Sequence, residues 1–330
     1  MSASTFRVEH TRPGTRHAYE IPTQRGRTAD LRYPSLTTTV PKEFVHRASI
    51  AEVLLTDWQR LDDTHFTVTA QWPRRHGFFA TVDGCHDPLL VAETIRQAGL
   101  LLAHAEFGVP LGHQFLMWDL AVDVRPEHLL VGTTPAAPEI EISCMDINRR
   151  GHTISGLHLK AVVRRDGLVA ATAAATFNCT SPAVYRRLRA ARIGDGVPAP
   201  IPLTSPAAPQ DVGRLSPTDV VLSPAPGENR WQLRVDTRHP VLFDHPLDHV
   251  PGMLLMEAAR QAATASLGHV CLPVGMINEF TRYAELDAPC MIEVHSLPRD
   301  GDGRRRLLVT GRQEDDVVFT STMTVVPATT

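Results

Sequence analysis

Two stretches of the chain, Leu89 to about Glu106 and Met253 to Leu267, are apolar or small at almost every position. Their Ala and Leu content, with Met in the second, suits helices, and apolarity on all sides predicts burial on most sides. Pro251 fits a first helical turn and Gly268 a left-handed C-terminal cap, while Gly108 and Pro110 end the earlier helix. One polar stripe breaks the second pattern, because Glu257, Arg260, Gln261 and Thr264 fall at i, i+3, i+4 and i+7. A lone buried charge costs several kcal/mol, roughly, so the stripe is either an internal ion pair or the lining of a polar cavity. At an offset of 164 residues, Glu93, Arg96, Gln97 and Ala98 stand opposite Glu257, Arg260, Gln261 and Ala262, and Phe79 opposite Phe243. A repeat of that length in 330 residues suits two copies of one domain, an internal duplication.

Elsewhere the pattern changes to strand-like alternation, clearest in HFTVTAQW from His65 to Trp72. Ala48 to Trp58, Gln114 to Val124, Glu139 to Ile147, His152 to Arg164 and Leu168 to Asn178 read the same way. So do Thr218 to Leu222, Arg230 to Asp236, Val274 to Leu286, Met291 to Leu297, Arg305 to Gln313 and Val317 to Val326 in the second half. Pro110-Leu111-Gly112 and Pro273-Val274-Gly275 stand at matching places after the two helices. Five prolines between 198 and 209, among Ala, Ser and Gly, mark an extended linker. The expected organisation is a flexible N-terminal arm (1–40), a first domain (41–189), a Pro-rich linker (190–213) and a second domain (214–330).

A net charge of −3 offers no global signal for nucleic acid, and no apolar run reaches the length of a membrane span. The opening MSASTFRVEH has no signal-peptide core, and five cysteines without a Cys-x-x-Cys pair point to free thiols, a reducing cytoplasm and no zinc knuckle. The run Asp236, His239, Asp244, His245, Asp248, His249 matches no zinc signature, so neither metal nor cofactor is expected. Arg186, Arg187, Arg189 and Arg192, Arg74 with Arg75, and Arg304 to Arg306 are local basic groups, either solvated faces or a docking surface for an acidic partner.

Glu257 and Arg260 are the first candidates for chemistry, with Glu93 and Arg96 as their repeat. A desolvated carboxylate beside a guanidinium can act as a general base near neutrality if the two influences balance. Arginine suits a phosphate or an oxyanion through its fixed charge and planar fork. Gln97 and Gln261 add polar groups that need partners. Gly252 opens the second helix, where free N–H groups can hold a carbonyl as charge develops on it.

Phe243-Asp244-His245-Pro246, Pro251-Gly252-Met253-Leu254 and Glu257-Ala258 resemble the hotdog-fold β-hydroxyacyl-carrier-protein dehydratases. The paired Glu-x-x-Arg-Gln helices, with the Val45-His46 entry segment, resemble more closely the A-factor-type γ-butyrolactone autoregulator synthases, over about Val45 to Pro327. That resemblance implies an α+β double hotdog, two antiparallel sheets each wrapping a central helix, with one chain mimicking a homodimer. It makes His245 the counterpart of the dehydratase histidine, although its loop is two residues shorter and the N-terminal half has Thr81 at that offset, with His86 out of register. Sites shared across the halves would pair Glu93 with His245, and Glu257 with residues near His86. The implied activity moves a β-ketoacyl group from acyl carrier protein to dihydroxyacetone phosphate, giving an ester or butenolide phosphate precursor of a γ-butyrolactone-type signal. Glu257, Arg260, Glu93 and His245 would be catalytic, and Arg96, Gln97, Gln261, Gly252 and His86 would bind substrate. Since only the C-terminal half keeps the His-Pro turn and the Pro-Gly helix start, its helix is expected to matter more. The rival readings are a dehydratase or thioesterase on the same fold, which needs no phosphate site, and a non-catalytic acyl- or lactone-binding protein.

Overall fold

In a computed structural model of the chain, the described residues are 37–193, 196 and 199–328. The arm expected over residues 1–40 lies almost wholly outside them. The N-terminal half contains β1 (Leu55–Arg60), β2 (His65–Ala70), α1 (Pro88–Ala105), β3 (Gln114–Val124), β4 (Glu139–Arg150), β5 (Thr153–Arg165) and β6 (Leu168–Thr180). After α2 (Pro182–Ile193), the C-terminal half contains β7 (Leu222–Pro224), β8 (Arg230–Leu233), α3 (Gly252–Leu267), β9 (Cys271–Phe280), β10 (Cys290–Leu297), β11 (Arg305–Gln313) and β12 (Asp316–Pro327).

These strands form one antiparallel sheet of twelve, ordered β1-β2-β4-β5-β6-β3-β9-β12-β11-β10-β8-β7. Each half repeats the same strand order, and the halves meet where Asp119 to Asp123 on β3 run opposite Glu279 to Gly275 on β9. The tandem hotdog architecture and the duplication follow from that order. On β2 the alternation is as read, with Phe66, Val68 and Ala70 buried.

Both helices obey their end signals. The Asp87 carboxylate accepts from Leu89 N at 2.9 Å to cap α1, with Pro88 in its first turn. Gly268, at φ 71°, closes α3 by donating to the Thr264 and Ala265 carbonyls. Nearly every side of α1 and α3 is buried in one apolar core that runs through both halves.

Several details differ from the sequence reading. Thr218 to Leu222 is mostly a 3₁₀ turn at Pro217–Asp219, with β7 starting only at Leu222, and β9 stops at Phe280 rather than Leu286. Ala48 to Trp58 is not one strand: a 3₁₀ turn at Ile50–Glu52 precedes β1, and Leu54 N donates to the Gln97 side chain instead of to a neighbouring strand. Pro110-Leu111-Gly112 lies in the turn before β3 while Pro273-Val274-Gly275 lies within β9, so the two are not counterparts. Helix α2 was hidden because ion pairs hold it more than an apolar stripe does. Its Arg189 is 4 % exposed and bridges Asp248 at 3.3 Å and Glu285 at 2.5 Å, and Arg192 pairs with Asp287 at 2.7 Å. Only Arg186 and Arg187 of that basic cluster are exposed. The Pro-rich segment is not a free linker, since Ile201 N donates to Leu286 O and Ala207 N to Leu222 O. Its end, the 3₁₀ turn Pro209–Val212, is the counterpart of Lys42–Val45, so the second repeat begins before residue 214.

Candidate active site

The Glu93 carboxylate is enclosed by three donors. Arg96 binds both of its oxygens at 2.8 Å, Arg47 reaches Oε1 at 2.6 Å and Gln97 donates to Oε1 at 2.7 Å. Gln97 also donates to Glu52 O and accepts from Leu54 N, which uses its whole amide to tie the entry segment to α1. The C-terminal copy repeats the set. Glu257 accepts from Arg260 at 2.9 and 2.6 Å, from Arg214 at 2.8 Å and from Gln261 at 2.5 Å, and Gln261 also bonds Asp219 O and Val221 N. The two glutamines expected to bind substrate are thus internal clamps.

The third partner in each set comes from an αL turn that sequence reasoning only touched, His46-Arg47 in one half and Gly213-Arg214 in the other (φ 51° and 69°). Each arginine reaches into the opposite half: Arg47 Nη1 donates to Val241 O at 3.0 Å and Arg214 Nη1 to Phe78 O at 2.6 Å. These carbonyls sit in matching turns. His76 Nδ1 accepts from Phe78 N and Phe79 N, and His239 Nδ1 from Val241 N and Leu242 N. The true counterpart of Phe79 is therefore Leu242, one residue from the alignment read off the sequence.

Burial by itself would push each glutamate up, but Arg47 with Arg96, and Arg214 with Arg260, bring Glu93 and Glu257 down to about 2. A carboxylate held there, with its oxygens saturated by donors, is a poor base at neutral pH. That corrects the expectation of a glutamate base.

The symmetry breaks at one face. A cavity of about 360 Å³ lies between α1 and α3, with Arg47, Arg96, His46, Asp244, His245, His249 and the start of α3 among its walls. Ile95, Leu100, Phe115, Leu159, Phe177, Met253 and Met256 supply apolar surface. Glu257, Arg260, Gln261 and His86 do not line it. Arg260 is 1 % exposed against 21 % for the Arg96 side chain. Beside the buried arginine set, the Phe78 ring stacks over the Arg214 guanidinium at 4.3 Å, whereas the equivalent position beside Arg47 holds the smaller Val241. His86 packs against Trp72, and burial holds its imidazole down to about 4.

Two features equip the open side. Asp244 accepts from His245 Nδ1 at 2.5 Å and Ala48 N at 2.9 Å and lies 3.4 Å from Arg47, so Glu93 and His245 are joined across the halves through Arg47 and Asp244. With Nδ1–H fixed on Asp244, His245 presents Nε2 as an acceptor. The second is His46, whose Nε2 lies 2.9 Å from His104 Nε2, while His104 Nδ1 lies 2.7 Å from Val109 O. A carbonyl only accepts, so in neutral His104 the proton is on Nδ1. His46 Nε2–H then donates to His104, which leaves His46 Nδ1 as an acceptor. Burial, with Arg96 and His104 nearby, holds His46 down to about 3.

The sequence profile of the A-factor biosynthesis hotdog domain matches residues 29–181 and again 198–329. The chain belongs to that family. Within it, the chain is 55 % identical over 285 residues to a 2-oxo-3-(phosphooxy)propyl 3-oxoalkanoate synthase of Streptomyces virginiae, covering 86 % of this chain and 96 % of the relative. It is 43 % identical over 288 residues to the enzyme of the same name from Streptomyces coelicolor, covering 86 % and 90 %. Among solved structures, a putative oleoyl thioesterase from Lactobacillus plantarum aligns with a TM-score of 0.52 at 12 % identity, over 82 % of this chain and 99 % of the other, and shares the fold.

Arg47 and His46, both at the cavity wall, carry only a weak sequence signal. The signal was the Val-x-Arg of Val45–Arg47 and Val212–Arg214, which repeats at 167 residues and not at the 164 of the helices.

Proposed function

We propose that the chain transfers a β-ketoacyl group from acyl carrier protein to the hydroxyl of dihydroxyacetone phosphate. The ester formed is a 2-oxo-3-(phosphooxy)propyl 3-oxoalkanoate, which can cyclise to a butenolide phosphate on the way to a γ-butyrolactone-type signal. The observation that carries this reading is that, of the two repeated arginines, Arg96 alone faces the cavity, opposite an Asp-buttressed histidine. Among the described residues Arg96 Nη1 makes no hydrogen bond, so its two N–H groups are free for a phosphate while Nε and Nη2 stay on Glu93.

The other roles follow from chemistry. His245 Nε2 takes the proton of the attacking hydroxyl, and His46 Nδ1 accepts a hydrogen bond from the same substrate. Gly252 and Met253, the first residues of α3, have N–H groups with no intrahelical partner at the cavity wall, suited to the thioester oxygen as it becomes negative. The apolar walls take the acyl chain. Transesterification is redox-neutral and calls for no cofactor. Glu93 acts as a fixed anion that orients Arg47 and Arg96, and the Glu257–Arg260–Arg214 set as a structural copy that locks the halves together. The chain then works as a pseudo-dimer within one chain, as a monomer or a weak homo-oligomer. Among the described residues no helix is long and apolar enough to cross a membrane.

The test is incubation of purified protein with a β-ketoacyl thioester, with and without dihydroxyacetone phosphate, followed by mass spectrometry. A phosphate-bearing ester or butenolide that forms only with dihydroxyacetone phosphate supports transfer. Free β-keto acid regardless of the phosphate supports a thioesterase. Loss of water from a β-hydroxyacyl thioester assayed alongside supports a dehydratase, and no turnover of either thioester a binding protein.

A further inference from the structure

The loop that carries His245 contains the same pair twice, Asp244-His245 and Asp248-His249, four residues apart. His249 Nδ1 lies 2.6 Å from Asp248 Oδ1, and that carboxylate also accepts from the Tyr185 hydroxyl at 2.8 and 2.9 Å. Arg189 approaches the same carboxylate at 3.3 Å and is itself fixed by Glu285 and stacked 4.3 Å over the Tyr283 ring. The His249 ring meets Tyr283 edge-on at 4.8 Å, and its Nε2 makes no hydrogen bond among the described residues. The side chain is 26 % exposed and lines the same cavity as His245. A surface histidine has no need of a half-buried carboxylate, a tyrosine, an arginine and a separate helix to hold its ring and its Nδ1–H in place.

We propose that His249 is a second catalytic residue, the acid that protonates the departing thiol. The two imidazoles are anchored to different walls. His245 is wired through Asp244 to Arg47 and Ala48 of the N-terminal half, on the side of Arg96. His249 is wired to α2 and to the segment 283–285. An alcohol whose phosphate is on Arg96 attacks from the His245 side, the carbonyl oxygen turns to Gly252, and the sulfur is left towards His249. As the C–O bond forms, the hydroxyl proton passes to His245 Nε2. As the C–S bond breaks, His249, protonated on both nitrogens with Nδ1–H held by Asp248, passes its Nε2 proton to sulfur and becomes neutral; exchange with water then returns a proton to His249 and removes one from His245. Tyr185 is a positioning residue that acts through Asp248.

This rests on thioester cleavage in the cavity but not on which acceptor is used, so thiol release is the readout, with water or dihydroxyacetone phosphate as acceptor. The full chain and its His249→Gln, His245→Gln and Tyr185→Phe variants are compared on an alkyl β-ketoacyl thioester and an aryl one, whose thiolate leaves without a proton. His249→Gln should lower kcat on the alkyl thioester by about 100-fold or more and on the aryl thioester by less than about tenfold. His245→Gln should lose about equally on both, and Tyr185→Phe should share the His249 pattern more weakly. Equal losses of His249→Gln on both thioesters, or no loss, overturn the assignment. Should that variant not fold, the wild-type rate across thioesters of graded thiol acidity decides instead: a shallow dependence supports an acid, a steep one overturns it. Thiol release to water alone would overturn the transferase reading yet leave this comparison in force, and no thiol release from any thioester overturns both.

Discussion

Arg96 and Arg260 hold the same place in the two repeats and differ in what covers them. Arg96→Ala should lower kcat/KM for dihydroxyacetone phosphate by roughly ten- to a hundred-fold, the equivalent of about 1.5–3 kcal/mol for a charged hydrogen bond. Arg96→Lys should recover only part, because lysine lacks the planar fork. Arg260→Ala removes one of two guanidinium partners from a fully buried carboxylate, and the cost should fall on stability, on the order of 3 kcal/mol. Turnover per folded molecule, measured beside a thermal unfolding curve, separates these outcomes. Loss of specific activity in folded Arg260→Ala would contradict a structural role for the C-terminal set. Where the sequence leads one to expect the C-terminal helix to matter more, the structure divides the cavity wall: that half supplies the loop histidines and the α3 N-terminus, while the accessible arginine comes from α1.

At the level of elements, close approach of helix to sheet shapes the cavity. A Cβ on Gly252 would lie 3.0 Å from the Phe280 ring, so Gly252→Ala must shift either the ring or the first turn of α3. Alanine is the better helix former, so the melting temperature should change little while kcat falls as the free N–H groups leave the carbonyl. Retention of full kcat would remove the α3 N-terminus from the mechanism. On α1, a Cβ on Gly99 would come within 3.1 Å of both Leu159 and Phe177, all three at the cavity wall. Gly99→Ala should therefore discriminate against longer acyl chains, seen as a falling ratio of kcat/KM for long over short β-ketoacyl thioesters. Helix α2 belongs to the same scale: its Arg-rich sequence looks like a solvated face, yet Tyr185 and Arg189 make it the support of the His249 loop.

For the molecule as a whole, the two buried networks bolt the halves together and make stability depend on pH. Glu93 and Glu257 are brought from the usual 4.5 to about 2, so each stabilises the fold above pH 4.5 and loses that contribution as pH falls towards 2. The combined loss is of order several kcal/mol, with Asp244 and Asp248, also lowered, acting in the same sense. Asp87, which burial pushes up, acts in the opposite sense and softens the fall. Buried His46 and His86, held down from 6.5 to about 3 and about 4, and His104, also lowered, act in the same sense from about 6.5 downward. Urea midpoints across pH 2 to 7 should therefore fall gradually below about 6.5 and steeply below about 4.5, and the Glu93→Gln/Glu257→Gln double variant should lie lower and lose the steep part. A wild-type midpoint unchanged down to pH 3 would show that the networks are not charged as described.

Local pattern was enough for the two buried helices, their end signals, most strands, the duplication and the Glu-x-x-Arg-Gln stripes, because periodicity and capping act within a few residues. It also placed Asp244-His245 in the loop ahead of α3. Tertiary structure decided what each polar group does. Arg96 meets the cavity and Arg260 does not, and the arginines beside them, Arg47 and Arg214, bond Val241 and Phe78 of the other half, more than a hundred positions away. The pairing of Glu93 with Arg47, on the entry segment of the same half, saturates a carboxylate that sequence spacing alone leaves free to act as a base. Neither effect is written in a local pattern: the first needs the two copies brought face to face by the β3–β9 pairing, and the second needs the entry segment folded back onto α1.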